Sequence, residues 1–129
     1  MTTHTSPAGD TLSAVMTRWS DAVASGDTAR IAALYTEDPL FQGLRPTPER
    51  DRAGVADYYG HQPAGLTPTV TPIDVRQTSE NSILGFLAVD FAAPGRPLVE
   101  THLTVQILRI DDEWLINHYH VSRRPLPAA

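Results

Sequence analysis

Residues 98–123, LVETHLTVQILRIDDEWLINHYHVSR, decide the fold. From Leu98 to Ile110 the chain alternates: Glu100, His102, Thr104 and Gln106 fall on one side, and Thr101, Leu103, Val105 and Ile107 on the other. Side chains of a strand point alternately to its two faces, so this is a strand with one buried side, and the apolar set is the core side. Asp111 and Asp112 interrupt the pattern, and Trp114 to Arg123 resumes it as a second strand. A break this short joins antiparallel neighbours. Strict alternation along the last strand puts Trp114, Ile116, His118, His120 and Ser122 on one face and Leu115, Asn117, Tyr119 and Val121 on the other.

Two more segments rich in β-branched residues precede this hairpin, Val70 to Thr78 and Ile83 to Phe91, with breaks at Ser79 to Ser82 and Ala93 to Pro97. The four strands form a meander. Upstream, Leu12, Val15, Met16, Trp19 and Val23 recur at helical steps, predicting a helix from about Thr11 to Ser25 with Asp10 as its N-cap. Gly26 ends it, and Asp27 caps a short second helix whose inner face is Ile31, Leu34 and Tyr35. Pro39 stops that helix, Leu40 to Gly43 reads as a short extended piece, and Arg45 to Arg50 as a Pro-rich loop. A third helix spans about Asp51 to Tyr59, with Val55, Tyr58 and Tyr59 toward the core. Helices followed by an antiparallel sheet define an α+β domain, a bent sheet wrapped around its helices with a pocket at the mouth between them.

The chain of 129 residues is long enough for one core, and 41% apolar with 19% charged residues is a globular balance. One domain is expected over 10–124, with residues 1–9 and 125–129 as flexible ends. No cysteine is present, which removes disulfides, thiol nucleophiles and Cys-ligated metals from consideration. A net charge of −5 without a basic cluster argues against a nucleic-acid partner. No apolar run is long enough to span a bilayer and residues 1–9 lack the features of a signal peptide, so no membrane association and a cytoplasmic location are expected.

His118 and His120 share a face, and paired imidazoles in a half-buried cleft can serve as general base and acid near neutral pH. The blander alternative is a structural histidine bonded to backbone or to Ser122. Glu100 and His102 on the neighbouring strand extend this polar stripe if it faces the cone, and are surface or dimer contacts if it faces outward. With His118 and His120 they form a nominal imidazole and carboxylate set, but their spacing matches no metal signature, so no metal or cofactor is expected. Asp90 interrupts an apolar strand and is a second candidate base. Trp19, Tyr35, Phe41, Tyr58 and Tyr59 come from the helical layer and could line an aromatic mouth or be plain core. Consecutive helical residues diverge, so Tyr58 and Tyr59 are alternatives for one inward phenol.

Three segments together resemble the nuclear transport factor 2-like (SnoaL-like) superfamily: the helix pair around Gly26-Asp27, the run Leu34-Tyr35-Thr36-Glu37-Asp38-Pro39, and Trp114-Leu115-Ile116-Asn117-His118-Tyr119-His120-Val121-Ser122. More narrowly, Phe41-Gln42-Gly43-Leu44-Arg45-Pro46, Gly54-Val55 with Tyr58-Tyr59, and the His118-to-Ser122 ending are similar to accessory proteins of enediyne and polyketide gene clusters. The ending also resembles the association domain of calcium/calmodulin-dependent kinase II. The resemblance implies a conical pocket, a homodimer paired through the sheet, and a small hydrophobic metabolite as partner. It also implies either a cofactor-independent cyclase, isomerase or dehydratase acting on a polyketide-like intermediate, or a non-catalytic binder that sequesters or delivers one. On the catalytic reading His118 and His120 are central, with Asp90 and Tyr58 assisting, and Trp19, Tyr35, Phe41, Tyr59, His102 and Glu100 contact the ligand.

Overall fold

The apolar stripe of the first helix becomes one long element, α1 (Pro7–Ser25), burying Leu12, Val15, Met16, Trp19, Ala22 and Val23. The computed structural model describes residues 7–125. α1 already includes Pro7, the first described residue, upstream of the start expected near Thr11. Asp10 therefore lies inside the first turn, complementing the helix dipole, and is not the cap. Asp27 does cap α2 (Thr28–Ala32), its carboxylate accepting from the Arg30 amide at 3.2 Å.

β1 (Tyr35–Gln42) departs from expectation. Helix α2 ends at Ala32, so neither Leu34 nor Tyr35 is helical; Leu34 is half-buried, and Tyr35 opens a strand that continues through Pro39. The cause is non-local: β1 runs parallel to the last strand of the chain, pairing Tyr35 with Ile116 and Leu40 with His118. The register shifts between Tyr35 and Leu40, which accommodates a proline that cannot donate to a ladder. α3 (Arg52–Gly60) follows, its cap Asp51 accepting from the Gly54 amide at 2.7 Å.

The meander is β2 (Thr67–Ser79), β3 (Ser82–Ala92), β4 (Val99–Ile110) and β5 (Glu113–Arg123), giving the sheet order β1-β5-β4-β3-β2. Asp111 and Asp112 both adopt positive φ, the conformation a two-residue hairpin turn of matching twist requires. α1 packs mainly on β2, with lesser contact to α2 and β3. It lies so close at one point that a Cβ on Gly85 would stand 2.3 Å from Leu12 Cδ2, which is why that one inward position of β3 carries no side chain. Ile83, Leu87, Val89, Leu103, Val105 and Ile107 line the same inner face and are buried. Among the described residues no helix is long and apolar enough to cross a membrane.

The alternation of β5 breaks once. Ile107 pairs with Ile116 but Gln106 pairs with His118, so Asn117 is an extra, bulged residue. Ile116 consequently joins Tyr119 and Val121 in the core, instead of sharing a face with the histidines as strict alternation requires. The bulge is tied on both sides: Thr36 Oγ1 donates to Asn117 Oδ1 at 3.0 Å, and Asn117 Nδ2 to Gln106 Oε1 at 3.0 Å.

Candidate functional site

Inside the cone the helical and strand layers meet in an aromatic cluster. Phe41 stacks on Tyr119, with ring centroids 4.4 Å apart, and meets Tyr35, Tyr58 and Tyr59 edge-on. Trp19 packs against Tyr119 and, edge-on, Phe91. Such pairs add to plain area burial through the ring quadrupoles. Trp19 Nε1 donates to the Tyr59 hydroxyl at 3.2 Å, so the only polar atom of the indole is satisfied inside the core.

Tyr58 and Tyr59 both turn inward, correcting the expectation that only one could. α3 ends across the mouth of the cone, so its two consecutive rings flank Phe41 and both border one cavity. Tyr58 accepts the Leu44 amide at 3.0 Å, and the Arg45 guanidinium sits 5.1 Å over its ring. Gly43 is required for this approach, since a Cβ there would lie 2.3 Å from Tyr58 Cε2.

Burial disfavours the charged phenolate, and it dominates the behaviour of all four tyrosines. Tyr59 is pushed up to about 12 by desolvation, against the opposing pull of hydroxyl and indole neighbours that stabilise its anion. Tyr35 and Tyr119 are raised well above the ordinary phenol value, first by desolvation and then by neighbouring phenols. Tyr58 is raised less, because the Leu44 amide and Arg45 act against its burial. At neutral pH the cluster is four neutral phenols.

The Tyr35 hydroxyl is enclosed with no hydrogen-bond partner; Tyr59 bears on its acidity, but not at hydrogen-bonding geometry. An orphaned buried hydroxyl costs folding free energy that its removal returns. Tyr35→Phe is therefore expected to leave stability unchanged or raise it by up to about 1 kcal/mol in urea denaturation at constant m. A loss beyond about 1 kcal/mol would show that the hydroxyl is bonded in solution, for example to a trapped water.

The cavity at the mouth has a volume of about 80 Å³. Its walls are Leu44, Leu66, Phe91, Val99 and Val121 with Pro63 and Pro97, its phenols are Tyr58, Tyr59 and Tyr119, and Gln62 and Arg96 are its other polar side chains. Among the described residues, no aspartate, glutamate or histidine lines it.

Of the residues singled out from sequence, Trp19, Tyr35, Phe41, Tyr58 and Tyr59 converge inside the cone, and Tyr58 and Tyr59 reach the cavity. His102, His118, His120, Glu100 and Asp90 belong to the outer face of the sheet. Their strand partners show it: Thr104 faces His120 and Gln106 faces His118, while the intervening Val105 and Tyr119 point into the core. The two imidazoles are neighbours, with centroids 6.1 Å apart, and His118 Nδ1 lies 3.1 Å from the Leu40 carbonyl, which requires its proton on that nitrogen. His102 packs beside Phe86. Asp90 and Glu100 are bridged by Arg124, an ion pair that fastens β3 to β4 at the sheet rim. Among the described residues no group of three or more histidine, aspartate or glutamate side chains is placed to hold a metal ion.

Sequence reasoning missed Tyr119, Arg96, Gln62, Leu44 and Phe91 as cavity residues. For Tyr119 a signal existed, since it shares the apolar inner face of β5 with Val121 two residues on. Arg96 sits in a turn, where no periodicity orients it.

Helices over a curved, mostly antiparallel sheet with an aromatic interior define the cone-shaped nuclear transport factor 2-like fold, and solved structures of that class superpose on it. The chain belongs to the SnoaL-like domain family, whose model matches residues 12–127. A candidate calcium/calmodulin-dependent protein kinase II association domain from Xanthomonas campestris is 19% identical with a TM-score of 0.79, covering 96% of this chain and 99% of that one. A ketosteroid isomerase-like protein from Erwinia carotovora atroseptica is 17% identical at a TM-score of 0.76, covering 88% and 94%. A candidate scytalone dehydratase from Novosphingobium aromaticivorans is 14% identical at 0.71, covering 92% and 88%. At these identities the likeness is one of fold. No curated protein sequence matches the chain significantly.

Proposed function

We propose that this protein binds a small, largely apolar metabolite at the mouth of its cone and holds or delivers it without converting it. The observation that carries this reading is the lining of the cavity: aliphatic and aromatic walls, phenols held neutral by burial, and no imidazole or carboxylate to take up a proton at neutral pH. General acid–base catalysis needs a group titrating near the working pH within hydrogen-bond reach of the reacting atom. The histidine pair stands on the other face of the sheet. A polyketide-like ligand and a place in secondary metabolism are supported by the sequence resemblance to gene-cluster accessory proteins. Exposed Leu84 and Phe86 on the same outer face as the histidines support pairing with a second copy of the chain.

A second reading is favoured by the phenols themselves. Tyr59 and Tyr119 border the cavity as hydroxyls able to donate to a ligand oxygen, and two relatives in fold are described as isomerase-like and as a candidate dehydratase. On that reading the protein polarises a carbonyl and a proton acceptor comes from the substrate or from water.

Native mass spectrometry of the purified protein, followed by analysis of any released small molecule, tests binding without a guess at identity. The paired variant His118→Gln, His120→Gln is expected to retain ligand occupancy and affinity within about twofold, because neither ring reaches the cavity. Loss of binding in a folded double variant would return the histidines to the site. Chemical change of the released molecule on re-incubation with wild type, abolished by Tyr59→Phe, would establish the second reading instead.

A further inference from the structure

Resting on the binding reading, we propose that the ligand is an anionic amphiphile, a short-chain carboxylic acid whose apolar end enters the cavity and whose carboxylate meets Arg96. Among the described residues, Arg96 is the only charged one lining that cavity. Five of the ten arginines are engaged: Arg45 with Glu49 and Asp57, Arg76 with Asp74, Arg109 with Glu80, Arg124 with Asp90 and Glu100, and Arg52 with the Tyr35 carbonyl. The Arg96 guanidinium has no acceptor among the described residues. Arg18, Arg30, Arg50 and Arg123 share that freedom, but none of them borders this cavity.

Its backbone is set by the turn between β3 and β4, where the Arg96 amide donates to the Ala93 carbonyl at 3.1 Å and prolines stand at 94 and 97, and its side chain is exposed. Gln62 also lines the cavity, and its amide makes only a long contact, 3.4 Å, to the Tyr58 carbonyl, leaving donor capacity for an oxygen ligand. A planar guanidinium suits the two oxygens of a carboxylate, which Arg can grip with parallel N–H bonds, and the Gln62 amide borders the same cavity. Among the described residues no carboxylate side chain lines the cavity to repel one. The net charge of −5 makes general attraction of anions unfavourable, so a preference for an acid would have to be local.

Volume sets the other half of the ligand. A cavity of roughly 150 Å³ is what encloses a benzene ring. At about 80 Å³ this one encloses a short branched alkyl group or one edge of a ring, the remainder lying toward the rim where Arg96 waits.

The test is a matched series read by NMR titration on the whole chain: isovalerate, its primary amide and isoamylamine, which share one alkyl end and differ in head-group charge. The acid is expected to bind roughly three- to tenfold tighter than the amide, with the amine weakest. Arg96→Gln should erase the difference between acid and amide while leaving the amide's affinity unchanged, and Arg123→Gln should change neither. Equal binding of acid and amide, or a preference that survives Arg96→Gln, overturns the inference and leaves the binding reading standing. If none of the series binds while the purified protein releases a neutral metabolite, the inference falls alone. If nothing binds and nothing is released, both fall.

Discussion

Trp19→Ala is expected to lower the unfolding free energy by about 3–5 kcal/mol, the range for deleting a fully buried large aromatic side chain. Trp19 is 0% exposed, sits where α1 faces Phe91 on β3 and Tyr119 on β5, and caps the polar end of the cluster through Tyr59. Truncation removes three things at once: buried apolar area, two ring contacts, and the N–H that Tyr59 accepts. Single domains have only about 5–15 kcal/mol in total, so the variant should be marginal at room temperature, with a melting temperature lower by roughly 10–20 °C. Trp19→Phe separates the contributions, because it keeps a ring against Phe91 and Tyr119 but loses the hydrogen bond. Its cost should be about 1–2 kcal/mol. Urea midpoints for both variants check this, and a Trp19→Ala loss below about 1 kcal/mol would mean that the cluster is not the keystone its contacts imply.

The sequence carried the meander and the stripe of α1 because both are local periodicities. Thr101 to Ile107 alternates without exception, and the helix reading needed only Leu12, Val15, Met16, Trp19 and Val23. β1 was illegible for the opposite reason. Ala32-Ala33-Leu34 favours helix and Glu37-Asp38-Pro39 resembles a turn, while the strand is fixed by pairing with a segment about eighty residues later. The bulge at Asn117 is likewise a property of two strands together, which is why alternation misassigned Ile116.

The candidate site was legible in part. Aromatic residues of the helical layer were identified as possible mouth residues, and they do form the interior. The orientation of the histidines was not recoverable from the hairpin: the two-residue turn sets Ile110 opposite Glu113 and Ile107 opposite Ile116, and continuing that register would put His118 opposite the buried Val105, so it is the bulge at Asn117 that moves His118 opposite Gln106 and turns both imidazoles outward. What no periodicity holds is the wall built by loops. Leu44, Pro63 and Arg96 come together only through the way α3 and the β3–β4 turn close over the sheet.

The same tyrosine cluster that lines the cone makes the protein sensitive to alkali. In the unfolded chain each phenol ionises near pH 10, whereas in the folded state Tyr59 holds its proton to about 12 and Tyr35 and Tyr119 hold theirs well beyond the usual value. A raised folded pKa means that the native state binds the proton more tightly. The associated stability is therefore intact below about pH 10 and is lost as pH climbs from the unfolded pKa toward the folded one. Tyr59 alone contributes roughly 2–3 kcal/mol across that interval, and Tyr35 and Tyr119 act in the same direction. Unfolding free energy should thus be flat with respect to these groups from neutrality to about pH 9 and fall steeply above pH 10. Tyrosinate absorbance should appear in one cooperative step that coincides with loss of far-ultraviolet dichroism, because the buried phenols can ionise only when the cone opens. Gradual titration of all four tyrosines near pH 10 with the fold intact would mean that water reaches the interior, and that the walls around Tyr59 and Tyr119 are a standing channel. Tyr35→Phe, which removes one of the deeply raised phenols, should make the alkaline decline shallower while leaving neutral stability equal or higher, a combination that a loss of packing cannot produce.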